Sequence, residues 1–296
     1  MSGVRQESLY KAIKELNEEK SYPIERLCKI LSLNRSSYYK WLRRSKSGRE
    51  IENEDITHKL AYLYAKYNGI YGYRRLRDEL EEQFGIVCSE GRIYRLTSLV
   101  GLKSVIRRKR PKYQRSTPEI TAENILNRDF RAEKLNEKWL TDVTELKYGN
   151  GQKLYLSAIL DLKDKSIVSF SIGSSNNNKL VFDTFDLAVE KYPDAKPLFH
   201  SDRGFQYTSK QFRHKLDEAG MVQSMSRVGR CIDNGPMEGF WGIIKCEMYY
   251  LNQFRTYHEL QDSISEYIHF YNYERRQRKL NILPPMSYRS ILENAA

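Results

Sequence analysis

Three strand-like runs in succession, KWLTDVTEL, KLYLSAILDL and KSIVSFSIG between Lys138 and Gly173, constrain the fold of this chain more than any other stretch. They are rich in β-branched and aromatic residues. The turn-like sequences Gly149-Asn150-Gly151 and Lys163-Asp164-Lys165 separate them, so they predict three antiparallel strands. A helical pattern follows at about 179–191, then a short apolar strand (Pro197, Leu198, Phe199) ending at Asp202, a helix at 209–219 and a short strand at 222–224. Two long helices, at about 236–249 and 256–271, are expected to close the chain. Antiparallel strands followed by alternating helices and strands require a mixed sheet with helices on its faces.

That is the order of a ribonuclease-H-like core: an α/β protein with a mixed five-stranded sheet and flanking helices. In such a core Asp142 lies on the central first strand, and Asp202 leaves the neighbouring fourth strand. Glu238 falls in the first turn of a helix, with 35 residues between it and Asp202. Three carboxylates at one sheet edge are the hard oxygen donors that two Mg²⁺ (or Mn²⁺) ions take, and such a pair of ions serves phosphoryl transfer. Each acid alone also has a plain structural use, as a strand end, a turn residue or a complement to a helix N-terminus. The catalytic reading rests on their conjunction with polar His200, Ser201, Asn234 and Gly235. Asp161 and Asp233 read as structural.

Charge is distributed unevenly. The net +12 comes almost wholly from the first part: 27 Lys and Arg against 16 Asp and Glu through Arg128, then 23 against 22. A basic N-terminal part suits a polyanion. A first helix at 5–19 precedes two helical patterns at about 24–31 and 36–43, which fit a helix-turn-helix in which Tyr39 and Leu42 close on Ile24, Leu27, Cys28 and Leu31. Polar residues 45–55 read as a linker. Three more helices follow, within ITHKLAYLYAKY, NGIYGYRRLRDELEEQF and CSEGRIYRLTSLVGL, with Ser89 as an N-cap. Arg74 and Arg75 at the start of the second are candidate DNA contacts. KSVIRRKRPKYQR, residues 103–115, holds seven basic residues and no acid, and Pro111 interrupts any helix. It is expected to lie extended along phosphates through Arg107, Arg108, Lys109 and Arg110. The expected units are all-α helix-turn-helix modules at 1–50 and 51–102, a basic linker at 103–128 and a catalytic core at 129–296. Four scattered cysteines and five histidines form no zinc pattern, so no structural zinc is expected. No apolar run spans a bilayer and no signal-peptide core opens the chain, which points away from the membrane and to the cytoplasm.

TDVTEL, HSDRGFQYTS, SMSRVGRCIDNGPMEGFWGIIKCE and YNYERRQRKLNILPPMSY resemble the DDE transposases of bacterial insertion sequences with a retroviral-integrase-type core. The resemblance is to the group whose catalytic subunit is the second of two overlapping reading frames, and YGYRRLRDEL resembles that group's helix-turn-helix module. It implies that Asp142, Asp202 and Glu238 are the catalytic and metal-binding triad, and that Lys245, two helical turns beyond Glu238, contacts DNA. The implied activity is cutting and joining of DNA ends: a phosphodiester is hydrolysed to free a 3′-hydroxyl, which then attacks another phosphodiester. Implied partners are double-stranded DNA, further copies of the chain in a dimer or larger assembly, and the first-reading-frame protein. The implied place is the bacterial nucleoid. Two alternatives stay open at this point: a non-catalytic DNA-binding subunit or regulator of transposition, and a nuclease of the same fold acting on hybrid or branched substrates.

Overall fold

The computed structural model describes residues 2–106, 123–227 and 231–295. The first of these stretches is helical. α1 (Ser2–Lys20), α2 (Ile24–Ile30) and α3 (Arg35–Leu42) enclose a small core of Tyr10, Ile13, Leu27, Cys28 and Tyr38, with Trp41 packed against it. Tyr39 and Leu42, expected to close this core, are exposed instead. The reason is the helix start. Asn34 caps α3 by accepting from the Ser36 amide at 2.8 Å, and the inward i, i+3 face becomes Tyr38 and Trp41.

The polar run at 45–55 is not a linker. α4 (Gly48–Lys66) begins inside it, because Ser47 and Glu50 form a capping box: the Glu50 carboxylate accepts from the Ser47 amide at 2.8 Å and Ser47 Oγ accepts from the Glu50 amide at 3.3 Å. Ile56, Leu60 and Leu63 form its buried stripe, packed on α5 (Tyr73–Phe84) and α6 (Glu90–Leu99) through Leu76, Leu80, Ile93 and Leu96. Ser89 caps α6 as expected.

The remaining elements are β1 (Lys138–Tyr148), β2 (Gln152–Asp161), β3 (Ile167–Gly173), α7 (Asn178–Lys191), β4 (Leu198–Ser201), α8 (Lys210–Glu218), β5 (Val222–Met225), α9 (Gly235–Glu247), α10 (Tyr257–Tyr273) and α11 (Pro285–Asn294). The sheet order is β3-β2-β1-β4-β5, antiparallel across β3, β2 and β1 and parallel across β1, β4 and β5, which is the expected ribonuclease-H-like arrangement. Strand alternation sends Leu140 and Leu146 of β1 into a core shared with α9 and α10, while Trp139 enters a second core with α7 and α8. Asp142 shares the face of Leu140 and so points toward α9.

α11 was not anticipated. It starts at Pro284-Pro285, and proline at the first helical position is compatible with a helix start. Arg289 of α11, 1% exposed, pairs with Asp161 at the end of β2 (2.9 Å) and with Asp164 in the following turn, so Asp161 is structural.

The helical part is tied to the sheet part by ion pairs. Glu247 at the end of α9, 5% exposed, accepts from Arg275 (2.8 and 2.7 Å), from the Tyr267 hydroxyl (2.8 Å) and from Arg75 of α5 (3.1 Å). Arg278 pairs with Asp78 at 3.1 Å, and Arg276 with Glu79 and Glu82 at 3.3 and 3.0 Å.

Candidate active site

β1 and β4 run parallel, with Lys138, Trp139 and Leu140 opposite Leu198, Phe199 and His200, so Asp142, inside β1, lies beside Asp202, which follows the end of β4. Trp241 Nε1 donates to Asp142 Oδ2 at 2.9 Å and the Val143 amide donates to Oδ1 at 2.8 Å. The Gly204 amide donates to Asp202 Oδ1 at 2.9 Å. That turn is tight: a Cβ on Gly204 would lie 2.9 Å from Gln206 Oε1 and 3.1 Å from Asp202 Oδ1.

Burial first, then the Asp202 charge, raises the pKa of the Asp142 carboxyl far above the usual carboxylate range, against the two hydrogen bonds; Glu238 adds a smaller push in the same direction. Burial raises Asp202 as well. Neither aspartate has an ion-pair partner among the described residues. Glu238 is exposed in the first turn of α9. Among the described residues, no three His, Cys, Asp or Glu side chains stand together as one metal-holding group. The structure therefore brings two of the three expected acids together and leaves the third within electrostatic reach. Two partly buried carboxylates raised by burial, Asp142 also by its neighbour's charge, with no ion pair among the described residues, offer hard oxygen donors that fit a divalent cation.

The frame around this pair is hydrogen-bonded. Asn234 Nδ2 donates to the Thr141 carbonyl at 3.0 Å, tying the turn before α9 to β1 beside Asp142. Thr141 Oγ1 donates to the Ala158 carbonyl and lies 3.1 Å from the Tyr207 hydroxyl. His200 is fully buried between Ser224 Oγ (2.9 Å) and Ser226 Oγ (3.1 Å), and its burial lowers the imidazole to about 4, so it is neutral.

Asp233, fully buried, accepts from Arg227, Arg128 and Asn124, and these guanidinium bonds hold its carboxyl well below the usual range. Asp233→Asn is expected to cost about 3 kcal/mol, because it leaves the arginines without their counter-charge. A carboxyl depressed in the folded state contributes stability that is present above its unfolded pKa of about 4 and is lost as pH falls below it. Urea unfolding should thus show a gap between wild type and variant at pH 7 that narrows by pH 3. An equal gap at both pH values would count against the ion pairs.

The other expected residues are placed variously. Lys245 is half-buried near Asp142 and Glu145; burial lowers its pKa and those acids oppose the shift. Arg74 is exposed over the Tyr73 ring at 5.6 Å. Arg75 turns inward, onto Glu247 and over the Tyr71 ring at 5.2 Å. Arg107, Arg108, Lys109 and Arg110 lie outside the described residues. Trp241 went unmarked by sequence reasoning. Its signal was its position three residues after Glu238, on the same helix face.

Comparison with known proteins gives three family models along the chain: an integrase core domain at residues 132–231, a second integrase core model at 238–291 and an HTH-like domain at 50–110. The chain is 37% identical over 280 residues to the putative transposase InsK for insertion sequence element IS150 of Escherichia coli K12, covering 94% of this chain and 98% of that one. It is 42% identical over 207 residues to an uncharacterized transposase-like protein of Haemophilus influenzae, covering 69% and 94%. A 31 kDa protein of insertion element IS600 from Shigella sonnei is 33% identical over 266 residues, covering 89% and 97%. Among solved structures, the HTLV-2 integrase catalytic core domain in complex with magnesium, in its trimeric form, aligns at TM-score 0.43 and 21% identity, covering 53% of this chain and 99% of that one.

Proposed function

Because the chain belongs to the insertion-sequence transposases built on an integrase core domain, we propose that it cuts and joins the ends of its element by metal-assisted phosphoryl transfer at Asp142, Asp202 and Glu238. The observation that carries this reading is the Asp142–Asp202 pair, two carboxylates side by side on β1 and just past β4, where burial and repulsion raise the Asp142 carboxyl and no ion pair among the described residues neutralises it. A structural acid pair is normally neutralised, as Asp161 and Asp164 are by Arg289. The two aspartates, joined by Glu238, would hold Mg²⁺ or Mn²⁺, which when bound stabilises charge on the attacking and leaving oxygens of an in-line displacement.

The chain's own residues orient the donors. Trp241 and the Val143 amide fix the Asp142 carboxylate, the Gly204 amide fixes Asp202, and Asn234 anchors the turn that delivers Glu238. Lys245, half-buried near Asp142, would contact a phosphate oxygen beside them. In the first step water attacks phosphorus and the 3′ oxygen leaves as a hydroxyl. In the second that hydroxyl attacks a phosphodiester of the target, and the displaced strand's oxygen leaves. Assembly of two or more copies on double-stranded DNA, cooperation with a first-reading-frame protein and action at the bacterial nucleoid belong to the same proposal, as does DNA contact by Arg74 and the basic stretch through Arg107, Arg108, Lys109 and Arg110. Arg75, engaged with Glu247, would contact DNA only after exchanging that partner.

The test is incubation of the full chain with a linear duplex carrying the element's terminal sequence and a plasmid target, with Mg²⁺, with Mn²⁺ and with chelator. Metal-dependent nicks at the element's 3′ ends and end-to-plasmid joints are expected. Tight end binding with no nick under either metal would replace this reading with the non-catalytic DNA-binding subunit.

A further inference from the structure

We infer that residues 123–130, which lead from the basic stretch into the sheet part, are a positioning element of the carboxylate centre, and that Arg128 acts there through Asp233. This rests on the transposase reading and adds to it the part of the chain that sets the acids for the cation.

Residues 123–130 form neither helix nor strand, yet they bond to the elements that carry all three acids. The Glu123 carbonyl accepts from the Met225 amide at 3.2 Å, along the outer strand β5. The Leu126 amide donates to Ser224 Oγ at 3.0 Å. The same oxygen lies 2.9 Å from Nδ1 of His200, two residues before Asp202. The Leu126 side chain, buried, joins the core that holds Met237 and Phe240 of α9, and the Phe130 ring lies against Gly235, where α9 begins. Asn124 Nδ2 and Arg128 Nε donate to the two carboxylate oxygens of Asp233, at 2.9 and 2.7 Å. Asn234 comes next, bonded to the Thr141 carbonyl beside Asp142, and Glu238 follows in the first turn of α9. One short segment therefore braces Asp202 through Ser224 and His200, and the turn before Glu238 through Asp233.

The two arginines on Asp233 have different tasks. Arg227, six residues earlier in the same loop, donates its amide, Nε and a terminal nitrogen to the Asp233 carboxylate. Those bonds neutralise the buried charge but tie it only to its own loop. The Asn124 and Arg128 bonds span 109 and 105 residues, so they fix the loop to a separate stretch of chain. The start of α9 needs such outside support, because Asn234 makes no side-chain cap to its first amides. Groups behind the oxygen donors of a cation site orient those donors, and Arg128 stands in that place for Glu238.

The test compares full-length wild type with Arg128→Ala and Arg128→Lys. The Arg128 side chain is 37% exposed and Arg227 still compensates Asp233 without it, so both variants are expected to fold, which melting curves in chelator check. Amide exchange in residues 234–240 should quicken about tenfold in Arg128→Ala, with the later turns of α9 unchanged. In nicking of a duplex of the element's terminal sequence, the Mn²⁺ concentration for half-maximal rate should rise about tenfold, while KM for the duplex holds. Arg128→Lys should recover part of both, because an ammonium still reaches one carboxylate oxygen. Unchanged exchange in the folded alanine variant would overturn the inference, as would faster exchange with an unmoved Mn²⁺ midpoint. A raised KM, a salt slope lowered by about one unit and an unmoved midpoint would overturn it too, and make Arg128 a phosphate contact. A wild type that binds the ends but never nicks them would overturn the transposase reading alone, and amide exchange would still decide whether Arg128 sets the turn.

Discussion

Asp142→Asn is expected to lower strand nicking by about a thousandfold, about 4 kcal/mol of transition-state stabilisation, while leaving the fold at least as stable as wild type. The two effects have opposite signs for one physical reason. The ionised Asp142 carboxylate stands in a buried place beside Asp202, and that environment raises its pKa. Removing the charge relieves desolvation and repulsion, so the metal-free protein gains stability, while the strongest oxygen donor of the centre is lost. Nicking assays beside thermal unfolding in chelator would check this. A structural aspartate behaves otherwise: its replacement loses stability, and activity falls only with it. If Asp142→Asn melts several degrees lower and nicks in proportion to the folded fraction, Asp142 is structural.

Arg289→Ala is expected to destabilise the sheet half by about 4 kcal/mol, among the largest losses available to a single residue far from the carboxylate pair. The guanidinium, 1% exposed, is shared between Asp161 and Asp164, both fully buried, and its removal strands two negative charges in the interior. Arg289→Lys should recover only part, because an ammonium lacks the planar fork that spans two acids. Asp161 already has its carboxyl pushed up to about 6, chiefly by burial and then by Asp164, with Arg289 opposing. A carboxyl raised in the folded state gives stability that is present below its unfolded pKa of about 4 and is lost as pH rises through the folded value. Removing Arg289 deepens that loss, so the variant's deficit should be larger at pH 7.5 than at pH 5. Urea midpoints at the two pH values decide it, and a deficit independent of pH would mean that the cost is lost packing rather than unpaired charge.

Local signals carried much of the architecture. Alternating apolar residues with turn sequences between them gave the three-stranded run, and Ser89 and Ser209 marked helix starts that the backbone adopts. Where local signals compete, the pattern and the structure part. The Ser47-x-x-Glu50 capping box sat inside a charged run that resembled a linker, and the choice between Tyr38 and Tyr39 as the inward face of α3 turned on one residue of register set by Asn34. α11 starts at a pair of prolines, and a helix break and a helix start look alike from the sequence side.

By itself, then, the sequence determined the strand and helix order, the uneven charge, and the placing of Asp142 on the first strand and Asp202 at the end of the fourth, all of which depend on residues close together along the chain. Tertiary structure alone decided which charges face each other. Arg75, one of a crowd of arginines at a helix start, is turned from solvent by Glu247, 172 residues away. Arg289 is claimed by Asp161 at a separation of 128, and Asp142 is oriented by Trp241 at 99. Such pairs form only when packing removes water from both partners, and the strength of a charge's interactions depends on that burial, which no single stretch of sequence encodes.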